Sequence, residues 1–119
     1  MLDPVETIRL FQKQPEPKSF KAGEEIFVQG QPGDYMYGIL EGEVDLIRQG
    51  QLLETLKPGD TFGEGALITH EGRAVTAVAR TDCKLAYMDE HHFLFAIDET
   101  PTFALQVMRS LFNRLKKMS

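Results

Sequence analysis

The stretch GDTFGEGALITHEGRAV, residues 59–75, decides how the rest of the sequence is interpreted. It places one acidic side chain, Glu64, among glycines, and one basic side chain, Arg73, nine residues later in front of an apolar segment. A glycine-rich turn that leads into a helical turn leaves backbone N–H groups without partners, and such groups form an anion site. The stretch therefore predicts a loop that recognises a small charged molecule.

The two charged residues indicate what that molecule offers. Arg73 would supply a charge-assisted hydrogen bond to a phosphate, whereas a carboxylate at Glu64 would repel it. Glu64 is useful only if the ligand also donates hydrogen bonds, as ribose hydroxyls do. One phosphate and one sugar hydroxyl in a compact ligand describe a cyclic nucleotide.

Short segments of high β-propensity surround this stretch, between residues 20 and 88, and glycine-rich turns separate them. They are EIFV, YMYGIL, EVDLI, LLETL, AVTAVA and KLAYM. Val44 and Leu46 alternate with polar neighbours, whereas the last two segments alternate weakly, which predicts strands covered on both faces. Many short strands with frequent glycine turns predict an antiparallel sandwich or barrel.

Helical signals lie at both ends of the chain. Asp3 precedes a proline and predicts an N-cap, and Pro15 and Pro17 predict the end of this first helix. Asp89 predicts the cap of a second helix, which Thr100-Pro101 ends before a third helix starts.

The final helix carries an apolar stripe with heptad-like spacing, which predicts either docking on the strands or pairing with a second chain. Its members are Ala104, Met108, Leu111, Leu115 and Met118. The positive charges near its end suit the helix dipole, which explains them without a membrane or nucleic acid. They belong to Arg109, Arg114, Lys116 and Lys117.

Three motifs together resemble the cyclic-nucleotide-binding domains of bacterial catabolite activators, kinase regulatory subunits and gated channels. They are KAGEEIFVQGQPGDYMYGILEGEVDL (21–46), LKPGDTFGEGALI (56–68) and GRAVTAVA (72–79), and the resemblance runs from about Phe20 to Leu115. The glycine positions that match are Gly23, Gly30, Gly33, Gly42, Gly59 and Gly63. The resemblance implies an antiparallel β-roll of the double-stranded jelly-roll type, mainly β, with an N-terminal helix and two C-terminal helices.

The resemblance also implies roles for residues of the predicted cassette, 59–76. Glu64 would accept the ribose 2′-hydroxyl and Arg73 would bind an exocyclic phosphate oxygen. Backbone N–H groups would make the remaining phosphate or ribose contacts, and two further residues would lie beside the base or phosphate. The predicted ligand-binding set is Gly63, Glu64, Gly65, Ala66, Arg73, Ala74, Val75 and Thr76. Because Ala74 has no hydroxyl to bond a guanine, cyclic AMP is favoured over cyclic GMP.

Two glycines depart from the family pattern. Gly65 stands where a bulky aliphatic residue is usual, and Gly72 stands where proline is often found before the arginine. Each exchange is expected to increase the freedom of the unliganded cassette. Cyclic di-GMP and small organic effectors, which relatives also use, stay open as alternative ligands.

Other site classes are not predicted. His91 and His92 are adjacent and would point about 100° apart on a helix, and His70 stands alone, so no metal site is expected. Cys83 has no histidine nearby in sequence and is expected to be a small buried residue. No Ser–His–Asp arrangement can be identified, so we expect no catalytic residues, no cofactor and no enzyme.

The bulk properties limit partners and location. The net charge of −5 argues against a nucleic-acid surface, and no apolar run is long enough to span a bilayer. A single cysteine and the lack of a signal peptide predict a cytoplasmic protein.

We therefore predict one domain over 1–119: a helix and connector at 1–17, a β-roll at 18–88 and C-terminal helices at 89–119. Its predicted function is a non-catalytic regulatory sensor for signal transduction, either free-standing or part of a longer protein. The C-terminal helix would relay the signal to a second copy of the chain or to an unidentified effector protein. The alternative is a ligand-free roll that serves as a dimerisation or docking module.

Overall fold

The computed structural model describes residues 3–12 and 16–117. Within them the helices are α1 (Pro4–Phe11), α2 (Gly65–Thr69), α3 (Glu90–Glu99) and α4 (Thr102–Lys117). The strands are β1 (Lys18–Phe20), β2 (Glu25–Phe27), β3 (Met36–Glu41), β4 (Val44–Arg48), β5 (Gln51–Leu56), β6 (Thr61–Phe62), β7 (Thr76–Ala79) and β8 (Cys83–Met88).

The strands form two four-stranded antiparallel sheets, ordered β1-β8-β3-β6 and β2-β7-β4-β5. One helix precedes them and two follow, so the predicted β-roll fold class is confirmed. The turn between β3 and β4 requires glycine, because Gly42 has φ +88° and a Cβ there would collide with the Asp82 carbonyl.

Two apolar cores hold the roll together. The first lies between the sheets and includes Ile39, Leu46, Phe62 and Leu85. The second lies between one sheet and the helices, and its members are Ile8, Met36, Leu67, Ala86, Met88, Ala96, Phe103 and Val107. The β8 strand contributes to both cores, so it is covered on both faces as predicted.

The other weakly alternating segment behaves differently. In β7, Ala77 and Ala79 are fully buried, while Thr76 and Val78 are half-buried. The prediction that both of its faces are covered is therefore only partly correct, because small alanines face the core and larger residues lie on the outer face.

Two strands were not predicted from the sequence. The β1 strand has three residues and β6 has two, which is too short for an alternating pattern to be visible. Both strands are defined by their pairing with strands distant in sequence. Phe20 pairs with Cys83, and Phe62 pairs with Tyr37.

The predicted N-caps are confirmed. Asp3 Oδ1 accepts a hydrogen bond from the Glu6 amide at 2.8 Å, and Asp89 Oδ1 accepts one from the His92 amide at 2.9 Å. The first helix ends at Phe11, earlier than the prolines suggest, and Pro15 lies outside the described residues.

The final helix has two apolar faces rather than the single predicted stripe. Phe103 and Val107 are buried against the roll, with Leu111 half-buried behind them. A second set is more than half exposed and spaced three, four and three residues apart: Leu105, Met108, Phe112 and Leu115. The predicted stripe mixed members of both faces, and Met118 lies outside the described residues.

Among the helices of residues 3–12 and 16–117, none combines the length and the hydropathy that crossing a bilayer requires.

Candidate functional site

A cavity of about 320 Å³ lies between the cassette, the second sheet and α4. Seven of the eight predicted site residues line it: Gly63, Glu64, Gly65, Ala66, Arg73, Ala74 and Val75. Phe27 and Leu46 reach it from β2 and β4, and Leu111 and Arg114 reach it from α4. The fold thus brings the acid and the base of the cassette to one place.

Arg73 is held rigidly at one side of this cavity. Its Nη1 donates to the Gly63 carbonyl at 3.0 Å, its Nη2 donates to the Tyr35 carbonyl at 2.8 Å, and its Cζ lies 4.0 Å from the centre of the Phe27 ring. Burial lowers the pKa of this guanidinium, and the charges of Tyr37, Asp34 and Glu64 act in the opposite direction. Only 6% of Arg73 is exposed.

The Arg73 Nε–H is buried and has no hydrogen-bond partner among the described residues. A buried donor without an acceptor costs about 1–3 kcal/mol, so an acceptor on a bound molecule would be stabilising at this position.

Glu64 is the acidic counterpart and is only 2% exposed. Its Oε1 accepts a hydrogen bond from Arg114 Nη1 at 3.3 Å, while its Oε2 is buried with no partner of good geometry in the described chain. Burial raises the pKa of the Glu64 carboxyl, and the Arg114 charge and the nearby Thr61 hydroxyl partly oppose that rise. Glu64 is therefore a buried acceptor with capacity for one more donor.

Arg114 lines the cavity and binds Glu64, and it was not predicted from the sequence as a site residue. Besides Glu64, it binds Glu54 Oε2 through Nε at 3.0 Å and the Thr61 carbonyl through Nη2 at 2.8 Å. Lys117 adds a second ion pair to Glu54 at 2.9 Å. Burial raises the pKa of Glu54, but the hydrogen bonds and charges of Lys117 and Arg114 outweigh it, so the net shift is downward.

Arg114 suits the helix dipole as predicted, and its contacts with Glu54, Glu64 and Thr61 are additional to that. One signal was available in the sequence: Arg114 follows Val107 by seven residues and so lies on the packed face of α4. A cation on a packed face needs an anionic partner in the surface beneath it.

Glu64 and Arg73 do not form the internal salt bridge that an empty loop would use. Among the described residues, Glu64 pairs with Arg114, and Arg73 bonds backbone carbonyls. Each charged group of the predicted pair therefore keeps one buried polar atom with unused hydrogen-bonding capacity.

The last predicted site residue lies outside the cavity lining. Thr76 begins β7, and its hydroxyl accepts a hydrogen bond from the Gln29 amide at 2.9 Å. Val75 packs against the core between the sheets as well as lining the cavity. The strand end thus fixes the position of Arg73 through its neighbours.

The two unusual glycines differ in their surroundings. A Cβ on Gly65 would meet nothing within 4 Å. There is therefore room for the bulky aliphatic residue that is usual at this position in the family. A Cβ on Gly72 would lie 2.7 Å from the Gly30 carbonyl oxygen. Gly72 therefore allows the cassette backbone to lie close to the backbone at Gly30, in addition to the greater conformational freedom expected of a glycine.

The remaining reactive side chains have structural partners. His70 lies 3.2 Å from Glu90, and His92 lies 2.6 Å from Asp89 at the α3 N-cap. Burial raises the pKa of the Cys83 thiol, whose Sγ lies 3.1 Å from the Glu43 carbonyl oxygen. Within the described ranges, no group of three His, Cys, Asp or Glu residues is placed to bind a metal ion.

The Arg114 contacts lead to a pH-dependent prediction. Replacing Arg114 with methionine leaves a buried Glu64 carboxylate without its cation, which should lower the free energy of unfolding by roughly 3 kcal/mol at pH 7.5. Because burial already raises the folded pKa of Glu64 above its usual 4.5, the folded variant should take up a proton before the unfolded chain does. The deficit should therefore shrink as the pH falls toward 5.5.

Urea unfolding at the two pH values measures this effect. Arg109→Met, on the exposed side of the same helix, is the matched control and should resemble the wild type at both. A deficit for Arg114→Met that is equally large at both pH values would show that Glu64 is not the group left unpaired.

Comparison with known proteins agrees with this geometry. The family model described as "Cyclic nucleotide-binding domain" matches residues 17–100. A cAMP-dependent protein kinase regulatory subunit of Eremothecium gossypii is 45% identical over 78 residues, covering 66% of this chain and 17% of that protein. A CRP-like cAMP-activated global transcriptional regulator of Mycobacterium tuberculosis is 31% identical over 110 residues, covering 88% of this chain and 49% of that protein.

Among solved structures, the Thermus thermophilus catabolite activator protein superposes with a TM-score of 0.84 at 28% identity, covering 99% of this chain and 56% of that chain. The chain thus spans half or less of the two curated relatives described above. Residues 17–100, which the family model matches, contain both β-sheets and the whole cassette. The chain belongs to the cyclic nucleotide-binding domain family.

Proposed function

We propose that the chain is a regulatory sensor that binds one cyclic nucleotide, with cyclic AMP favoured over cyclic GMP, in the 320 Å³ cavity. A single observation carries the proposal. Two residues of opposite charge line the same cavity, and each has a buried polar atom without a partner of good hydrogen-bond geometry among the described residues: Arg73 Nε and Glu64 Oε2. A ligand that offers both an anionic acceptor and a hydroxyl donor satisfies both atoms.

The phosphate is assigned to Arg73 and the ribose 2′-hydroxyl to Glu64. Gly63, Ala66 and Ala74 are assigned backbone N–H contacts. Of these, Ala66 lies in the first turn of α2, where amides have no partner within the helix. Gly65 lies where the ligand would approach, and Val75 borders the base or phosphate. Thr76, whose hydroxyl is already bonded to Gln29, supports this arrangement from behind.

The preference for adenine is supported by the apolar part of the cavity. Leu46, Val75 and Leu111 line it, and Ala74 offers no hydroxyl to a guanine. Two of the similar proteins are named for cyclic AMP. We therefore infer a base subsite that recognises shape and apolar contact more than hydrogen bonds.

The relay is proposed to run through Arg114. Glu64 binds Arg114 through Oε1 and would bind the ribose through Oε2, so a ligand hydroxyl would share the carboxylate with Arg114 and draw part of its negative charge away from that contact. Weakening that contact changes how tightly α4 docks, because Arg114 is also held by Glu54. The function is to change the position of a helix and involves no chemical reaction on the ligand.

Thermal unfolding with a panel of cyclic nucleotides tests this proposal. Cyclic AMP at about 100 times its Kd should stabilise the fold by roughly 2.7 kcal/mol, and more than cyclic GMP does at the same concentration. Arg73→Ala should lower the affinity enough to remove most of the effect at that concentration. Because Arg73 also bonds two backbone carbonyls, each variant is compared with its own unliganded melting temperature.

Arg80→Ala is the matched control, since its side chain is half exposed and lies outside the cavity lining. It should keep the full shift. The proposal is contradicted if no cyclic nucleotide raises the melting temperature at millimolar concentration.

The alternative function, a dimerisation module, is favoured by one observation of its own. The second apolar face of α4 consists of Leu105, Met108, Phe112 and Leu115, each more than half exposed and spaced as in a coiled-coil seam. We propose that two copies of the chain pair along this face. Pairing would leave the Arg114 contacts in place, because Arg114 reaches the cavity from a side of α4 that faces away from this seam.

Analytical ultracentrifugation tests the pairing. Met108→Glu places a charge in the middle of the seam and should convert the dimer into a monomer. Asn113→Glu makes the same change of charge at an exposed polar position of α4 and should leave the dimer intact. A wild-type chain that sediments as a monomer at all accessible concentrations would refute the pairing.

A further inference from the structure

The glycine at position 33 lies directly against the Arg73 guanidinium. A Cβ added to Gly33 would come closest to Arg73 Nε and Cζ, at nearly equal distances, and would next meet Ala66 Cβ at 2.8 Å. The added Cβ would be closer to Nε and Cζ than to either terminal nitrogen. Within the plane of the guanidinium it would approach a terminal nitrogen first, so it lies above the flat face of the group. Gly33 therefore covers one face of the group with bare backbone.

Three further contacts hold the Arg73 guanidinium in place. The centre of the Phe27 ring lies 4.0 Å from Cζ, and both terminal nitrogens donate to backbone carbonyls, Nη1 to Gly63 and Nη2 to Tyr35. Face contacts with Gly33 and Phe27, together with bonds along the edge, set the plane of the group. Its position thus depends on residues from β2, the loop before β3 and the cassette.

Conformation does not explain the glycine at this position. Gly33 is not among the residues with positive φ, so an alanine could adopt its backbone angles. The lack of room beside Arg73 is what excludes a side chain. Position 33 therefore lacks a side chain because Arg73, forty residues later in the sequence, occupies the space beside it.

We propose that Gly33 is a positioning residue for phosphate recognition: its missing side chain lets the Arg73 guanidinium lie flat against the loop, with its free edge toward the ligand. The expected effect on affinity rests on the proposed binding of a cyclic nucleotide. The seating of Arg73 itself does not depend on it. A methyl group at position 33 would push the guanidinium out of its plane and cost the bonds that it makes.

A double-mutant cycle tests the proposal, with the wild type, Gly33→Ala, Arg73→Ala and the double variant. Calorimetry with cyclic AMP gives the affinities, and urea unfolding without nucleotide gives the midpoints. Gly33→Ala should weaken binding by about 10- to 100-fold, the range for loss of a charge-assisted hydrogen bond. In the Arg73→Ala background, the same substitution should change affinity by less than about threefold.

The urea midpoints should follow the same pattern, with a clear decrease when Arg73 is present and a small one when it is absent. Wild-type affinity in Gly33→Ala would overturn the proposal, and so would equal losses in both backgrounds. Recovery of Gly33→Ala by Ala66→Gly would also overturn it, because Ala66 would then be the obstacle. If no cyclic nucleotide binds the wild type, the proposed function fails, and the urea cycle still decides whether Gly33 seats Arg73.

Discussion

The burial of the Arg73 guanidinium is the constraint on which the site depends. One side chain bonds the carbonyls of Tyr35 and Gly63 and lies on the Phe27 ring, so three segments distant in sequence meet around it. Burying a cation is costly unless its donors are satisfied, and one donor, Nε–H, has no partner in the described chain. An acceptor on a bound ligand would therefore remove part of the cost of burying this cation.

Glu64 sets the second constraint, and it connects the cavity to the helices. Its burial raises the pKa of the carboxyl, and Arg114 from α4 opposes that shift. The position of the last helix is therefore linked to the charge and the partners of a cavity residue. Glu54 also binds Arg114, so a second contact ties α4 to β5. In the proposed relay, the cavity and the helix would respond to the same carboxylate.

Much of this architecture could be predicted from the sequence, because glycine turns, alternating strands and capping residues are local signals. The Asp3 and Asp89 caps and the two-sided burial of β8 follow from them. The short β1 and β6 strands could not be predicted, since pairing with distant strands defines them. Arg114 was missed for the same reason: its partners lie 50 and 60 residues away. The role of Gly33 becomes visible only when Arg73 is placed against it.

The central claim is that the unpaired Arg73 Nε–H receives the phosphate of a cyclic nucleotide, and the ¹H–¹⁵N resonance of that group tests it most directly. The signal is assigned by its loss in Arg73→Lys, with the half-exposed Arg80 as an internal reference. Saturating cyclic AMP should move the Arg73 Nε–H proton downfield as a charge-assisted hydrogen bond forms, and leave the Arg80 signal in place. Saturable binding of cyclic AMP with an unmoved Arg73 signal would contradict the account.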